Sequence, residues 1–143
     1  MLSETNLINI QNLVPLVDVG GEAHLLFTRR SLSLSSHSGQ VSFPGGKEDP
    51  GTDIDLVHTA LRFEYHLYYF CVMYVIHLSF RETEEELGIR QGDVDVWCQM
   101  PDLSSNKKGD YSATPVVGHI NNFQNLKLTV SQDEVSSVFT GEF

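Results

Sequence analysis

Apolar residues crowd Leu13 to Val17 and His24 to Arg29, and the "DVGGE" between them carries turn chemistry, so the chain is expected to open with a β-hairpin. The following "SLSLSSHSGQVSFPGGKEDPGTD" is dense in Ser, Gly, Pro and Asp and reads as loop, with one short strand near Val41 to Phe43. Asp53 or Asp55 can cap a helix running through "LVHTALR", and a second helical stretch, "RETEEELG", is expected to stop at Gly88. Three strand-like runs come next: "VDVWCQM", "ATPVVGHI" and "LKLTV". The order β-β-loop-β-α-β-β-β predicts an α+β or layered α/β domain without internal repeats. One segment breaks the pattern. "FEYHLYYFCVMYVIHLSFR" is continuously apolar from Leu67 to Ile76, shows no clear helical stripe, and falls short of the roughly 20 residues a bilayer crossing needs. A membrane anchor is the weaker reading.

At 143 residues the chain fits one domain, and 41% hydrophobic residues suffice for a packed core. Nine Lys and Arg stand against 19 Asp and Glu, a formal charge of -10 that opposes nonspecific attraction to nucleic acid or anionic membrane. An anionic substrate would therefore need a cation or a local basic patch. The two cysteines, Cys71 and Cys98, make neither a disulfide framework nor a zinc site and suit a reducing, intracellular compartment. The N-terminus has neither the basic start of a secretory signal nor the arginines of a mitochondrial presequence. Organelle and oligomeric state are not legible.

The chemistry is concentrated in "RETEEELG". Glu82, Glu85 and Glu86 stand at i, i+3 and i+4, which puts three carboxylates on one helix face, with Glu84 elsewhere. Like charges about 4 Å apart repel by roughly 4 kcal/mol at an effective dielectric near 20, so a stable cluster wants a divalent cation. Oxygen-only ligands favour Mg2+ or Mn2+. A solvated acidic face is the plain alternative. Upstream, "SFPGGKEDPG" supplies a Gly-Gly pair whose backbone can approach metal or phosphate closely.

A Gly-Gly turn followed by "RETEEELGI" resembles the signature box of the Nudix hydrolases, with Thr83 where an aliphatic residue is usual. A second match, "LLFTRRSLSLSSHSGQVSFPGG", resembles the signature of the coenzyme A diphosphatase branch at Leu25, Leu26, Thr28, Arg30, Ser31, Gly39, Phe43, Pro44, Gly45 and Gly46; Ser35 stands where the branch has arginine. The resemblance covers about Val14 to Thr140 and implies an α/β/α sandwich with a mixed sheet, short at its C-terminus. It also implies hydrolysis of the diphosphate bond of coenzyme A or acyl-CoA, dependent on Mg2+ or Mn2+, in a peroxisome or mitochondrion. By the motif, Glu82 and Glu86 are metal ligands, Glu85 shares the metal or polarises water, and Arg81 orients a glutamate. Arg29, Arg30, Ser31, Gly45, Gly46 and Lys47 are the expected substrate-binding residues, and Glu134 is a possible further ligand or base. Another nucleoside diphosphate derivative as substrate, or a noncatalytic binding protein on the same fold, are the competing readings.

The box is interrupted. Gly46 and Glu82 are 36 positions apart, and 17 once residues 63–81 are set aside, which restores "DLVHTALRETEEELGI" and the family spacing. Arg62 and Arg81 admit codons with splice-donor and splice-acceptor sequence, so a retained short intron would account for the insert. Placed inside a helix, the insert is expected either to pull the glycine loop away from the glutamates or to loop out over Phe63 to His77. In the second case Leu78, Phe80 and Arg81 replace Thr59, Leu61 and Arg62. Weak activity, restored by deleting residues 63–81, is the expectation.

Overall fold

The structure, a computed structural model, describes residues 8–47, 67–104 and 111–142. The predicted helix through "LVHTALR" lies outside them. The hairpin is present and longer than its apolar runs suggest: β1 spans Ile8–Val19 and β2 spans Glu22–Arg30. Its turn is Gly20-Gly21, both at positive φ (66° and 87°), the backbone that a two-residue hairpin turn of matching twist demands. β3 is Val41–Ser42 and β4 is Gly45–Lys47, so the glycine pair read as loop is in fact a short strand. The helix, α1, spans Leu67–Leu87, and β5 (Val94–Gln99), β6 (Leu103–Ser104), β7 (Tyr111–Ile120) and β8 (Val135–Glu142) complete the described elements.

The sheet is mixed, in the order β3-β2-β1-β7-β5, with β8 on β2, β6 on β7 and β4 on β1. Its centre is the parallel pairing of β1 with β7, from Ile8↔Tyr111 to Leu16↔His119. The other edge of β1 is shared: residues 16–19 pair with β2, and Asn12, Gln11 and Ile10 pair with Gly45, Gly46 and Lys47. The handover is sealed where the Leu13 N–H donates to the Pro44 carbonyl at 2.9 Å. This split edge carries the glycines beneath α1, which packs on β4, β1 and β7. Between helix and sheet lies the core of Leu13, Val17, Leu26, Ile76, Phe80, Leu87, Ile89, Val94, Val116 and Ile120.

Two expectations need correction. The apolar run does not loop out over its described part, because Leu67 to His77 is continuous with the glutamate helix. The reason lies in the sequence: "VIHLSFR" (75–81) matches "LVHTALR" (56–62) at the two leading apolar residues, the histidine, the apolar residue before the arginine and the arginine itself, and it sets Ile76 and Phe80 at i and i+4 on the core face. Ile76, Leu78 and Phe80 are all buried. The second correction concerns "LKLTV", which is extended but is no strand. Leu126, Leu128 and Val130 do turn to the core, while the Thr129 and Ser131 N–H groups donate to the Leu87 and Glu86 carbonyls (both 2.9 Å). The segment thus satisfies the open carbonyls at the helix C-terminus, and the last strand is β8. The helix ends as expected: Gly88 takes φ 73° and donates to the Glu84 carbonyl at 2.8 Å. Among the described residues no helix is long and apolar enough to cross a membrane.

Candidate active site

Alternation along β2 turns His24, Leu26 and Thr28 inward, beneath the helix and its trailing segment. Near its end the register with β8 shifts between Arg29 and Arg30, which pair with Ser137 and Val135. Such a bulge re-aims side chains. Its extra residue, Ser136, satisfies the carbonyls of Arg29 and Arg30 with its hydroxyl (3.2 and 3.4 Å). The bulge also brings the turn before β8 to the C-terminal end of α1. Ser31 N–H donates to the Glu134 carbonyl and Ser131 N–H to the Glu86 carbonyl, each at 2.9 Å, so Glu134 hangs between strand and helix.

The helix face and the glycine strand meet directly. Gly46 is flush against Glu82: a Cβ at this position would overlap the Glu82 carboxylate. Gly45 is held at φ 151°, where a Cβ would strike the Gln11 carbonyl and Asn12, and its N–H donates to Glu86 Oε2 at 3.2 Å. Arg81 spans two of the glutamates, with Nη2 at 3.0 Å from Glu82 Oε1 and Nη1 at 3.6 Å from Glu85 Oε1. Thr83 occupies its aliphatic position without cost, being fully buried with its hydroxyl donating to the Ser79 carbonyl at 2.6 Å.

Glu86 is 7% exposed, and its carboxyl is pushed up to about 8. Burial is the largest cause. The charges of Glu82 and Glu134 add to it, while the Gly45 N–H and Arg30 oppose it. One carboxyl oxygen of Glu134, Oε2, is buried without a hydrogen-bond partner, as is Arg30 Nε. The sequence offered only a weak signal for Glu134, since its approach to Glu86 depends on the β8 bulge and the Ser131 turn.

The remaining expected residues are placed differently. Glu85 is 53% exposed on its side chain and is engaged by Arg81. Its carboxylate does not close with those of Glu82 and Glu86 into a three-ligand set; among the described residues the set of three ligand groups gathered within 4.8 Å is Glu22, His24 and Glu142. Arg29 is exposed and donates to the Gly39 carbonyl at 3.4 Å. Ser31 is buried and bonded to Ser33 (2.8 Å) as well as to the Glu134 backbone. Lys47 is exposed at the end of β4.

The donor set suits a hard divalent cation. It consists of carboxylates, one of them pushed above its ordinary range chiefly by burial, another with an unpartnered buried oxygen, beside a glycine strand that leaves no side chain in the way. Glu82 and Glu86 could hold such an ion, and the charges of Glu82 and Glu134 both act on Glu86.

A stability prediction follows from Glu86. Its folded value, about 8, lies above the ordinary 4.5, so its contribution to stability is complete below about pH 4.5 and is lost as pH rises through 8. The protein stripped of divalent ions is expected to melt at lower temperature at pH 8.5 than at pH 5, and added Mg2+ should recover more of the loss at the higher pH. Thermal denaturation with and without chelator measures both.

No protein-family model matches the chain. It is 37% identical over 129 residues to Nudix hydrolase 3 of Caenorhabditis elegans, covering 90% of this chain and 45% of that protein. To the human mitochondrial coenzyme A diphosphatase NUDT8 it is 37% identical over 128 residues, covering 89% and 45%. To the mouse peroxisomal coenzyme A diphosphatase NUDT7 it is 37% identical over 128 residues, covering 89% and 44%. The chain thus spans a little under half the length of these curated relatives. Among solved structures, a binary complex of a C. elegans Ap4A hydrolase superposes with a TM-score of 0.66 at 20% identity, over 95% of this chain and 80% of that one. By sequence the chain is a homologue of the Nudix hydrolases over about nine-tenths of its length, and the structural neighbours show that it carries the same fold.

Proposed function

We propose that this chain is a divalent-cation-dependent pyrophosphohydrolase that cleaves the diphosphate bond of coenzyme A or its acyl derivatives, giving 3',5'-ADP and (acyl-)4'-phosphopantetheine. One observation carries the reading: Gly46 lies so close to Glu82 that a side chain there would displace its carboxylate, and the Gly45 N–H donates to the Glu86 carboxylate at 3.2 Å. Backbone and carboxylates present one surface on which a cation and a phosphate can sit together. The branch signature that ends in Phe43-Pro44-Gly45-Gly46 and the relatives named coenzyme A diphosphatases support coenzyme A as the substrate class.

In this reading Glu82 and Glu86 would hold Mg2+ or Mn2+, with Glu134 beside them and the exposed Glu85 joining only after a change of rotamer. When bound, such an ion neutralises the phosphate oxygens and lowers the pKa of an attacking water. Arg81 fixes the Glu82 carboxylate by its 3.0 Å ion pair and ties Glu85 to the same guanidinium, a positioning role. Arg30, whose charge is felt by Glu86, offsets charge on the substrate phosphates. The unpartnered oxygen of Glu134 is suited to accept a proton from the attacking water as the phosphoanhydride oxygen leaves. Arg29, Ser31 and Lys47 contribute, if at all, at the periphery of the phosphates.

The assay is release of 3',5'-ADP from coenzyme A in Mg2+ or Mn2+, run beside a nucleoside diphosphate sugar and a dinucleoside polyphosphate. Preference for coenzyme A is expected; preference for either rival would reassign the substrate, and binding of coenzyme A without turnover would make this a binding protein. We infer that residues 63–81 are an insertion. Deleting them restores the shorter spacing and joins Leu56 to Arg62, whose apolar residues resemble those of Val75 to Arg81, directly to the glutamates, so the deletion form is expected to fold and to turn over coenzyme A faster than the full chain. Equal rates would remove the idea that the insert impairs the enzyme.

A further inference from the structure

A second group of ligand-type side chains lies at the opposite end of β8 from Glu134. Glu22 and His24 are alternate positions of β2, and His24 stands directly across from Glu142 on β8. A period of two along a strand and direct opposition across a ladder put all three on one face. A ring nitrogen of His24 and a carboxylate oxygen from each glutamate all lie within 4.8 Å of one another.

The histidine marks this group as more than a pair of surface acids. His24 is only 9% exposed, and its Nδ1 is buried without a hydrogen-bond partner. A buried ring nitrogen left unpaired forfeits free energy unless something accepts or donates to it. The two glutamates at its side are exposed and repel each other in a chain of net charge -10. A cation held by the ring and both carboxylates relieves the repulsion and gives the imidazole a partner.

We propose that Glu22, His24 and Glu142 form a zinc-binding site, separate from the Glu82 and Glu86 cluster. One imidazole with two carboxylates is a borderline donor set, which favours zinc over magnesium or calcium. Bonds of about 2.0–2.2 Å to a tetrahedral ion give ligand separations of about 3.4 Å, and the two exposed glutamates can close that gap by rotamer changes. Three protein ligands leave the fourth position to water. The consequence is mechanical: the ion fastens the last described turn of β8 to the β1–β2 hairpin, securing the strand whose first residue follows Glu134.

The test uses the full chain, stripped with chelator and returned to excess Mg2+ so that the carboxylate cluster on α1 does not compete. Titration with ZnCl2 by calorimetry is expected to show one Zn2+ per chain and a rise in Tm. The Glu22→Gln/Glu142→Gln double variant, altered only at exposed positions, should keep the circular dichroism of the parent and lose the bound ion and the Tm rise, whereas Glu86→Gln should retain both. Zinc binding undiminished in the double variant, or absent in the parent, overturns the assignment. Failure here leaves the hydrolytic reading untouched, because turnover of coenzyme A does not enter the measurement.

Discussion

Glu86→Gln is expected to lower turnover of coenzyme A by about 10³-fold, in the range set by removal of a single group that stabilises transition-state charge. The same substitution should stabilise the metal-free protein at pH 8.5. These opposite signs share one cause. Glu86 sits in a buried position beside the charges of Glu82 and Glu134, and its carboxyl ionises only near pH 8 without a cation. Glutamine keeps the shape and the capacity to accept from the Gly45 N–H while discarding the charge. At pH 5, where the native carboxyl is protonated, parent and variant should melt together; at pH 8.5 the variant should melt higher. Steady-state rates and paired melting curves distinguish this from a merely structural role, which would lower activity and stability together.

The glycine pair gives the second large effect, and its two members should part company. In Gly46→Ala the new methyl displaces only the end of the Glu82 side chain, which can swing aside, so the fold should survive with a loss of about 1–3 kcal/mol. Moving that carboxylate by an ångström or more should nonetheless cost about 10²-fold in kcat. In Gly45→Ala the methyl meets the Gln11 backbone carbonyl at a φ of 151°, and neither can yield without breaking the β1–β4 pairing. Loss of about 3 kcal/mol or more is expected there, with unfolding rather than slow catalysis as the outcome. Denaturant melts beside kinetics for the two variants separate the cases.

Much of this site was legible because its parts are local. Glu82 and Glu86 share a helix face by spacing alone, Gly88 stops that helix as its type demands, and Gly45-Gly46 declares a close backbone approach. What spacing could not say is that the glycines form a strand on the split edge of β1, since that depends on residues more than 30 positions away. Glu134 was faint for the same reason: its carboxylate reaches the site only through a bulge on β8 and the hydrogen bond from Ser31. "LKLTV" alternates as a strand does, yet the N–H groups of Thr129 and of Ser131 just after it go to the carbonyls of Leu87 and Glu86, a competition between helix end and sheet that periodicity does not register. Along Val75 to Phe80, helical packing prevailed over β-branched and aromatic composition because Ile76 and Phe80 fall where the core requires them.

The most direct test is anomalous diffraction from a crystal of the full chain soaked in Mn2+. A manganese peak is expected within coordination distance of the Glu82 and Glu86 carboxylates, facing Gly45 and Gly46. Density for the ion only elsewhere, or those carboxylates turned to solvent with no ion between them and the glycines, would contradict it.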